Sequence, residues 1–324
     1  MNEETPYKAL LDREGPIKIV EKSFPELISS MRDMVNFGTN LIVRCFAVSS
    51  ERKMKDIIIL GVLLKQIVSM FDALEILISN ASIRPAFLQL RAMFEASLYI
   101  EWILKEDSEA KAAYYYVSNL RKEKEFYLKM RSGSDENLRY KEKMAQFESE
   151  IDGFSDNHEK NIKTSLAKVE TILNREEYLS INQAFNNFKN GIKIKKRRKI
   201  KYEPDWYKPL GVNSIRDLAC KLGRLSYYEF IYTRSSAVMH SAEYDDHIEF
   251  KKGEIHFITI RHLENIGEVA RYSIPILLGT YLKVIQQYRP GELSAYKKKY
   301  VENWREPYLN IPNIDYTKVT DEAI

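Results

Sequence analysis

The chain has 324 residues, 44% of them hydrophobic, which is enough for one large domain or two modest ones with an ordinary core. Its net charge of +4 is too small for a general polyanion binder, and its two cysteines exclude a disulfide scaffold or a cysteine-based zinc site. No apolar run approaches the roughly 20 residues of a membrane span, and the N-terminal residues lack an apolar signal core. We therefore expect a soluble cytoplasmic protein.

Glycine and proline are scarce, with 12 and 10 copies, and the apolar residues recur with helical period. This pattern predicts an all-α protein built from long helices. The first four predicted helices span residues 24–47, 54–79, 83–106 and 108–130. A later helix spans residues 227–242, and the last core helix spans about 261–286. Alternation of apolar and polar residues around a Lys-Lys-Gly-Glu turn predicts a short β-hairpin at residues 247–258.

The remaining segments are interpreted as additions to one helical domain that spans residues 1–324. The apolar pattern is sparse in the charge-rich stretch that follows the fourth helix, which indicates a helical insert rather than a second globule. The predicted divisions are a core at about 24–130 and 214–286, an insert at about 135–190, a basic loop at 191–213 and a C-terminal tail at 287–324.

Two charged residues lie in the apolar stripe of the third predicted helix. At 100° per residue, Arg91 and Glu95 fall at the centre of the apolar stripe. A charge on a core-facing stripe is costly unless it is paired. Either the two side chains satisfy each other as an i,i+4 pair or the arginine extends along the helix to solvent, or both face a polar pocket between helices.

The helix at residues 227–242 carries the side chains best suited to chemistry. Tyr232, Ser236 and His240 form a polar stripe, which is either a solvated face or part of a site. His240 can move a proton near neutral pH, and Arg234, six residues earlier, can bind a phosphate through two hydrogen bonds. On an ideal helix Arg234 and His240 lie about 120° apart. They converge only if the helix is distorted, or if a second subunit or a bound phosphate bridges them.

A basic run precedes two aromatic residues in the predicted loop. Eight of the thirteen residues from Lys189 to Lys201 are basic. Basic side chains bind phosphates and aromatic rings stack on unpaired bases, although such runs are also common in solvated loops. The candidate nucleic-acid contacts are Lys195, Lys196, Arg197, Arg198, Trp206 and Tyr207. The five histidines lack metal-site spacing and no nucleotide-binding motif is present, so we expect neither a metal nor a cofactor.

The order of these motifs resembles the HEPN superfamily of helical proteins, whose signature is Arg, four to six residues, then His. The similarity is greatest to an uncharacterised bacterial branch that carries an early Arg-x-x-x-Glu helix, a basic stretch, a Trp-Tyr pair and a late Tyr-x-x-x-Ser-x-x-x-His helix. It covers roughly residues 55–285. Here Ser235 follows the arginine, where many HEPN enzymes carry Asn or Asp.

The resemblance implies an all-α bundle that dimerises, with the Arg and His of two subunits lining one cleft. It implies metal-independent RNA cleavage, with His240 as general acid or base, Arg234 stabilising the phosphorane, and Glu95 orienting His240 or Arg91. It also implies a toxin or anti-phage role and a possible antitoxin partner. Some branches keep the fold without activity, which leaves a non-catalytic scaffold that binds nucleic acid or a protein as the alternative.

Overall fold

The structure is a computed structural model that describes residues 7–47, 54–145, 156–196, 202–240, 247–251 and 253–312. Within these residues the chain is almost entirely helical, so the predicted all-α class is confirmed. The helices of the N-terminal half are α1 (Gly15–Ser23), α2 (Pro25–Ala47), α3 (Met54–Ser79), α4 (Ile83–Lys105), α5 (Ser108–Met130), α6 (Asp135–Ala145), α7 (Asp156–Leu173) and α8 (Glu176–Lys196). The later helices are α9 (Ile215–Lys221), α10 (Leu225–His240), α11 (Ile266–Tyr288), α12 (Leu293–Lys299) and α13 (Arg305–Leu309).

The chain divides into two compact units. The first unit contains Met1–Glu106 and Ile215–Ile324, and the second contains Asp107–Ser214. The sequence pattern places α5 with the core helices, whereas in the structure α5 belongs to the second unit. The second unit has its own apolar cluster, in which Val117 of α5 and Phe185 of α8 are fully buried.

The first unit is organised around α3, which contacts α2 and α4 extensively. One face of α3 is completely buried because Ile67, Phe71, Leu74 and Ile78 repeat at helical spacing. Among the described helices, α3 is the one whose length and composition would also allow a membrane span, over Asp56–Ser79. More than half of its apolar window is buried inside the protein, which is typical of a core helix.

The helices α2 and α11 approach closely at a glycine. A Cβ atom added at Gly38 would lie only 2.0 Å from the hydroxyl of Tyr281, which leaves no space for any side chain. The buried Tyr281 hydroxyl donates a hydrogen bond to the carbonyl of Met34, 3.0 Å away. Gly38 therefore allows α11 to pack on α2.

The described part of the predicted C-terminal tail, residues 287–312, is mostly helical. After α11 it forms a 3₁₀ turn, α12, a π-helical turn at Tyr300–Trp304 and α13. Trp304 is fully buried against Phe37 of α2, at 5.3 Å between ring centroids, and its indole N–H donates to Asp33. This buried contact attaches the segment to the first unit.

The predicted basic loop was wrong at its start, because residue 191 lies inside a helix of the second unit. Residues 191–196 continue α8, and residues 197–201 lie outside the described residues. Gly191 and the lysines that follow lack an apolar stripe, but α8 is already held against α5 by Phe185, whose ring lies 5.7 Å from that of Tyr114. Tertiary packing of the earlier turns therefore carries the helix past the point where its own sequence favours a loop.

The predicted β-hairpin is present in the first unit. Strands β1 (Ile248–Lys251) and β2 (Glu254–Phe257) pair antiparallel, with Ile248 opposite Phe257 and Phe250 opposite Ile255. These four apolar residues therefore share one face. Phe250, Ile255 and Phe257 are each more than 60% exposed, so the hairpin presents an apolar surface to solvent.

Candidate functional site

The candidate site lies along the antiparallel contact between α4 and α10. Helix α10 is held on α4 by its buried side, where the Ser235 hydroxyl donates to the carbonyl of Phe87 at 2.8 Å. Two turns earlier, the ring of Tyr227 stacks on Phe94. Ser235 is completely buried and its hydrogen bonds are to backbone carbonyls. The residue after the signature arginine is therefore a packing contact.

A cluster of three polar side chains lies in this contact. Arg91 Nε and Glu95 Oε1 are 3.2 Å apart, and the Tyr232 hydroxyl from α10 donates to the same carboxylate oxygen. The Arg91 guanidinium also lies over the Tyr232 ring, 4.2 Å from its centroid. The i,i+4 pair that the sequence left as one alternative therefore forms, and a side chain of the neighbouring helix joins it.

The surroundings of the cluster raise the pKa of both Tyr232 and Arg91. Burial raises the pKa of the Tyr232 hydroxyl far above its usual range, and the Glu95 charge and hydrogen bond raise it further. Burial alone would lower the pKa of Arg91, but its hydrogen bond to Glu95 and the charge of that carboxylate outweigh this effect and raise it. Near neutral pH Arg91 is thus a guanidinium and Tyr232 a neutral phenol.

A ridge of side chains leads along α10 from this cluster to solvent. The Tyr228 ring stacks on Tyr232 with centroids 4.2 Å apart. Ser236 is half-buried one turn further on, and His240 is exposed at the last residue of the helix. Eight residues of helix separate Tyr232 from His240, about 12 Å along the axis. Glu95 thus binds Arg91 and Tyr232, and His240 lies beyond its reach.

Arg234 points away from this ridge. Its Nε lies 3.9 Å from Oε1 of Glu268 in the first turn of α11. Burial raises the pKa of Glu268, and the Arg234 charge opposes that shift. Helix α10 is a regular α-helix from Leu225 to His240, so Arg234 and His240 remain about 120° apart and about 9 Å apart along the axis. One chain alone does not bring these two side chains together.

The packing of α4 on α10 identifies another arginine at the His240 end. Tyr232 meets Glu95, and Ser235 meets Phe87. Continuing in this antiparallel direction brings His240 to the level of the first turn of α4, which contains Arg84. Seven residues before Arg91, Arg84 lies within about 20° of the same face of α4. Its place in the apolar stripe was visible in the sequence, but the register between the two helices was not.

A family model matches residues 56–255, which are 200 of the 324 residues and include the whole α4–α10 contact. The chain belongs to the DUF5677 family. That family is described as a family of unknown function. No curated protein and no solved structure matches the chain. The matched range of this DUF5677 chain contains every candidate site residue, whereas Glu268, the partner of Arg234, lies beyond it.

The six predicted nucleic-acid contacts of the DUF5677 chain differ in their positions and burial. Lys195 and Lys196 are the last residues of α8, while Arg197 and Arg198 lie outside the described residues. Trp206 and Tyr207 are only 3% and 4% exposed, which contradicts the prediction that their rings stack on bases. The Trp206 ring instead packs edge-on against Tyr115 of α5, with centroids 5.7 Å apart.

The segment around these two rings is fixed by a polar network that sequence reasoning missed. Glu203 accepts hydrogen bonds from Arg121 Nε at 2.8 Å and from Lys189 Nζ at 2.6 Å. Arg121 also donates to Asn182 of α8, and the Ser118 hydroxyl donates to the carbonyl of Pro204. The network attaches the segment after the basic run to α5 and α8, which explains the burial of the aromatic pair. Across the described part of the chain, no three His, Cys, Asp or Glu side chains converge to form a metal site.

Proposed function

We propose that this DUF5677 chain is a cytoplasmic HEPN-like endoribonuclease that works without a metal, as a homodimer, in a toxin or anti-phage role. The observation that carries the proposal is the exposed His240 at the end of a ridge anchored by the Arg91–Glu95–Tyr232 cluster. A histidine in contact with solvent at a helix end can both accept and donate a proton near pH 7.

In the proposed reaction the ribose 2′-hydroxyl attacks the adjacent phosphorus, and a base removes its proton. The O2′–P bond forms as the P–O5′ bond breaks, and an acid protonates the departing O5′. The products are a 2′,3′-cyclic phosphate and a 5′-hydroxyl. His240 takes one of the two proton-transfer roles, and a guanidinium stabilises the phosphorane. Arg234 is the candidate from the signature, and Arg84 is the candidate from the helix register.

We propose that a second copy of the chain completes the site with its Arg234. Because Arg234 and His240 diverge on one helix, a two-fold dimer is the simplest way to combine Arg234 of one copy with His240 of the other. The apolar hairpin face formed by Ile248, Phe250, Ile255 and Phe257 begins eight residues after His240. An isolated two-stranded hairpin is marginally stable in water, so contact with the same face of a second copy would stabilise it.

RNA contact is proposed along the basic run as well. Lys195, Lys196, Arg197 and Arg198 supply four positive charges for phosphates. The buried Trp206 and Tyr207 are left out of this surface because their rings pack inside the protein.

Purified protein tests the proposal directly. We expect cleavage of tRNA or mixed RNA in EDTA, with a cyclic phosphate on the product, and a loss of about 10²–10⁴-fold in the His240→Ala variant. Arg216→Gln, which removes an exposed ion pair between α9 and Glu229 of α10, serves as the matched control. RNA that stays intact with the wild-type protein would contradict the enzyme.

Mixing two inactive variants tests the composite cleft. A heterodimer of Arg234→Gln and His240→Ala chains keeps one cleft with both native residues. Random exchange of subunits should therefore restore about a quarter of the wild-type activity. Mixing that restores nothing, or light scattering that gives only the 38.1 kDa monomer, would place all catalytic groups in one chain.

The alternative is a non-catalytic scaffold that binds nucleic acid or a partner such as an antitoxin. The contact of Arg234 with Glu268, on the side of α10 away from His240, favours it. Tight RNA binding without cleavage, unchanged by His240→Ala, would support the scaffold.

A further inference from the structure

A cleft lined by three lysines lies at the opposite end of α10 from His240. It lies where α4, α9 and α11 end, and its volume is about 410 Å³. The side chains around it are polar apart from two leucines. The lining residues are Glu101, Leu104, Lys105, Lys221, Leu222, Lys283, Gln286 and Gln287.

A nearly buried carboxylate lies at the centre of this cluster. Glu101 has only 11% of its side chain exposed, and it lies 3.0 Å from Arg224 Nη2 and 3.6 Å from Lys283 Nζ. Arg224 reaches it because Gly223 adopts a left-handed conformation, with φ at 69°, and ends α9. The Arg224 amide then donates to the carbonyl of Ala219 at 2.7 Å, which fixes the turn.

The cluster carries more positive than negative charge. Its cations are Lys105, Lys221, Arg224 and Lys283, and its carboxylates are Glu101 and Asp217, which lies 3.8 Å from Lys221. Four cations and two carboxylates leave an excess of two, in a chain whose whole net charge is +4. The negative ends of α4, α9 and α11 offset about half a charge each at most, and solvent screens that effect at the surface, so part of the positive excess remains. A bound anion would remove the remaining repulsion.

We propose that this cleft binds a small phosphorylated ligand of nucleotide size through its phosphate groups. The charge excess suits a phosphate dianion, and lysine and arginine are its usual protein ligands. The volume lies within the range of small-molecule sites, with Leu104 and Leu222 as apolar walls and two glutamine amides as hydrogen-bonding groups. Helix α10 has 16 residues from Leu225 to His240 and is about 22 Å long, so this ligand and RNA at His240 occupy different places.

Calorimetry on the full chain at low salt tests the cleft without any measurement of RNA cleavage. The probes are pyrophosphate, tripolyphosphate, AMP and ATP. We expect micromolar to millimolar binding that weakens at least about tenfold in the Lys105→Gln/Lys221→Gln variant, because two phosphate ligands are lost. The control is Lys65→Gln/Lys297→Gln, which removes the same charge from exposed positions outside the cleft lining. Circular dichroism checks that both variants fold.

The comparison of probes separates the sources of the phosphate. Equal affinity for tripolyphosphate and ATP would assign recognition to the phosphates alone, whereas tighter ATP binding would add contacts to the base and ribose; both support the cleft. No binding of any probe at 10 mM, equal weakening in the control variant, or binding of RNA alone would overturn the proposal.

Discussion

Each unit of the molecule contains an arginine–glutamate pair joined by a third side chain, and the third side chains differ. In the second unit Glu203 accepts from Arg121 and from Lys189, so two cations surround one carboxylate. In the first unit Glu95 accepts from one cation, Arg91, and from the neutral hydroxyl of Tyr232. The Glu203 pair is about 10% exposed and the Glu95 pair about a quarter exposed.

The difference separates a structural cluster from a candidate site. Two cations and little solvent hold Glu203 in one charge state, and its network attaches a loop to two helices. Glu95 contacts one cation, Arg91, and is more exposed to solvent than Glu203. Its partner Tyr232 lies on the stripe of α10 that continues to the exposed His240. Buried charge alone therefore does not identify a site, since the more buried and better compensated cluster is the one that fixes the fold.

The largest predicted effect is that of Glu203→Gln. Loss of the carboxylate leaves Arg121 and Lys189 without their main counter-charge in a nearly buried place, and we expect the free energy of unfolding to fall by about 3–5 kcal/mol. Urea denaturation measures this change. Glu229→Gln, whose pair with Arg216 is more than half exposed, is the control, with an expected loss of about 0–1 kcal/mol.

The pH dependence of unfolding in the wild type and in Glu203→Gln checks that the lost stability comes from the Glu203 charge. Burial alone would raise the pKa of Glu203, but hydrogen bonds and charges from Arg121 and Lys189 outweigh it and lower the pKa below the ordinary value of 4.5. The stabilisation is therefore complete above the unfolded pKa and is lost as the pH falls through the folded one. The difference between wild type and Glu203→Gln should be constant near neutral pH and shrink below about pH 4.5. A difference that grows in acid would contradict the network.

The sequence predicted most of the helices and part of the site. Period alone placed Arg91 and Glu95 on the apolar stripe of α4 and Tyr232 on a second stripe of α10, and these side chains meet in the structure. Arg84 lay on the same stripe, but its level relative to His240 depends on how two helices pack, which no local pattern encodes.

The second unit was harder to predict for the same reason. Trp206 and Tyr207 follow a basic run in an irregular segment, which suggested exposed rings. Their burial comes from the contact of Trp206 with Tyr115 and from the hydrogen bond between Glu203 and Arg121, partners some 80 to 90 residues apart in sequence. The flanking Pro204, Pro209 and Gly211 were a local signal for a compact turn that could have suggested this packing.

A smaller effect is predicted for Tyr232→Phe in the first unit. The change removes one donor from Glu95 while Arg91 stays, so we expect a loss of about 1–2 kcal/mol in the free energy of unfolding, well below that of Glu203→Gln. Because the pKa of Tyr232 is raised far above 10, the ultraviolet titration curves of wild type and variant should coincide up to about pH 11. If the wild type shows a titration step near pH 10 that Tyr232→Phe lacks, the phenol of Tyr232 is not held by Glu95.

The smallest stability effect is predicted for Arg234→Gln, which breaks a third arginine–glutamate pair. Arg234 and Glu268 are 3.9 Å apart and the arginine is 42% exposed, so the pair contributes no more than about 0.5 kcal/mol. Its loss should raise the pKa of Glu268 further, because burial and Glu264 already raise it and Arg234 opposes them. If Arg234 also binds the phosphorane, RNA cleavage should fall by about 10²-fold or more while the urea midpoint stays unchanged. Arg234→Lys, which keeps the charge but loses the paired donors, should recover little activity. An Arg234→Gln variant that cleaves RNA normally would assign the phosphate to Arg84, the arginine that packing places at the level of His240.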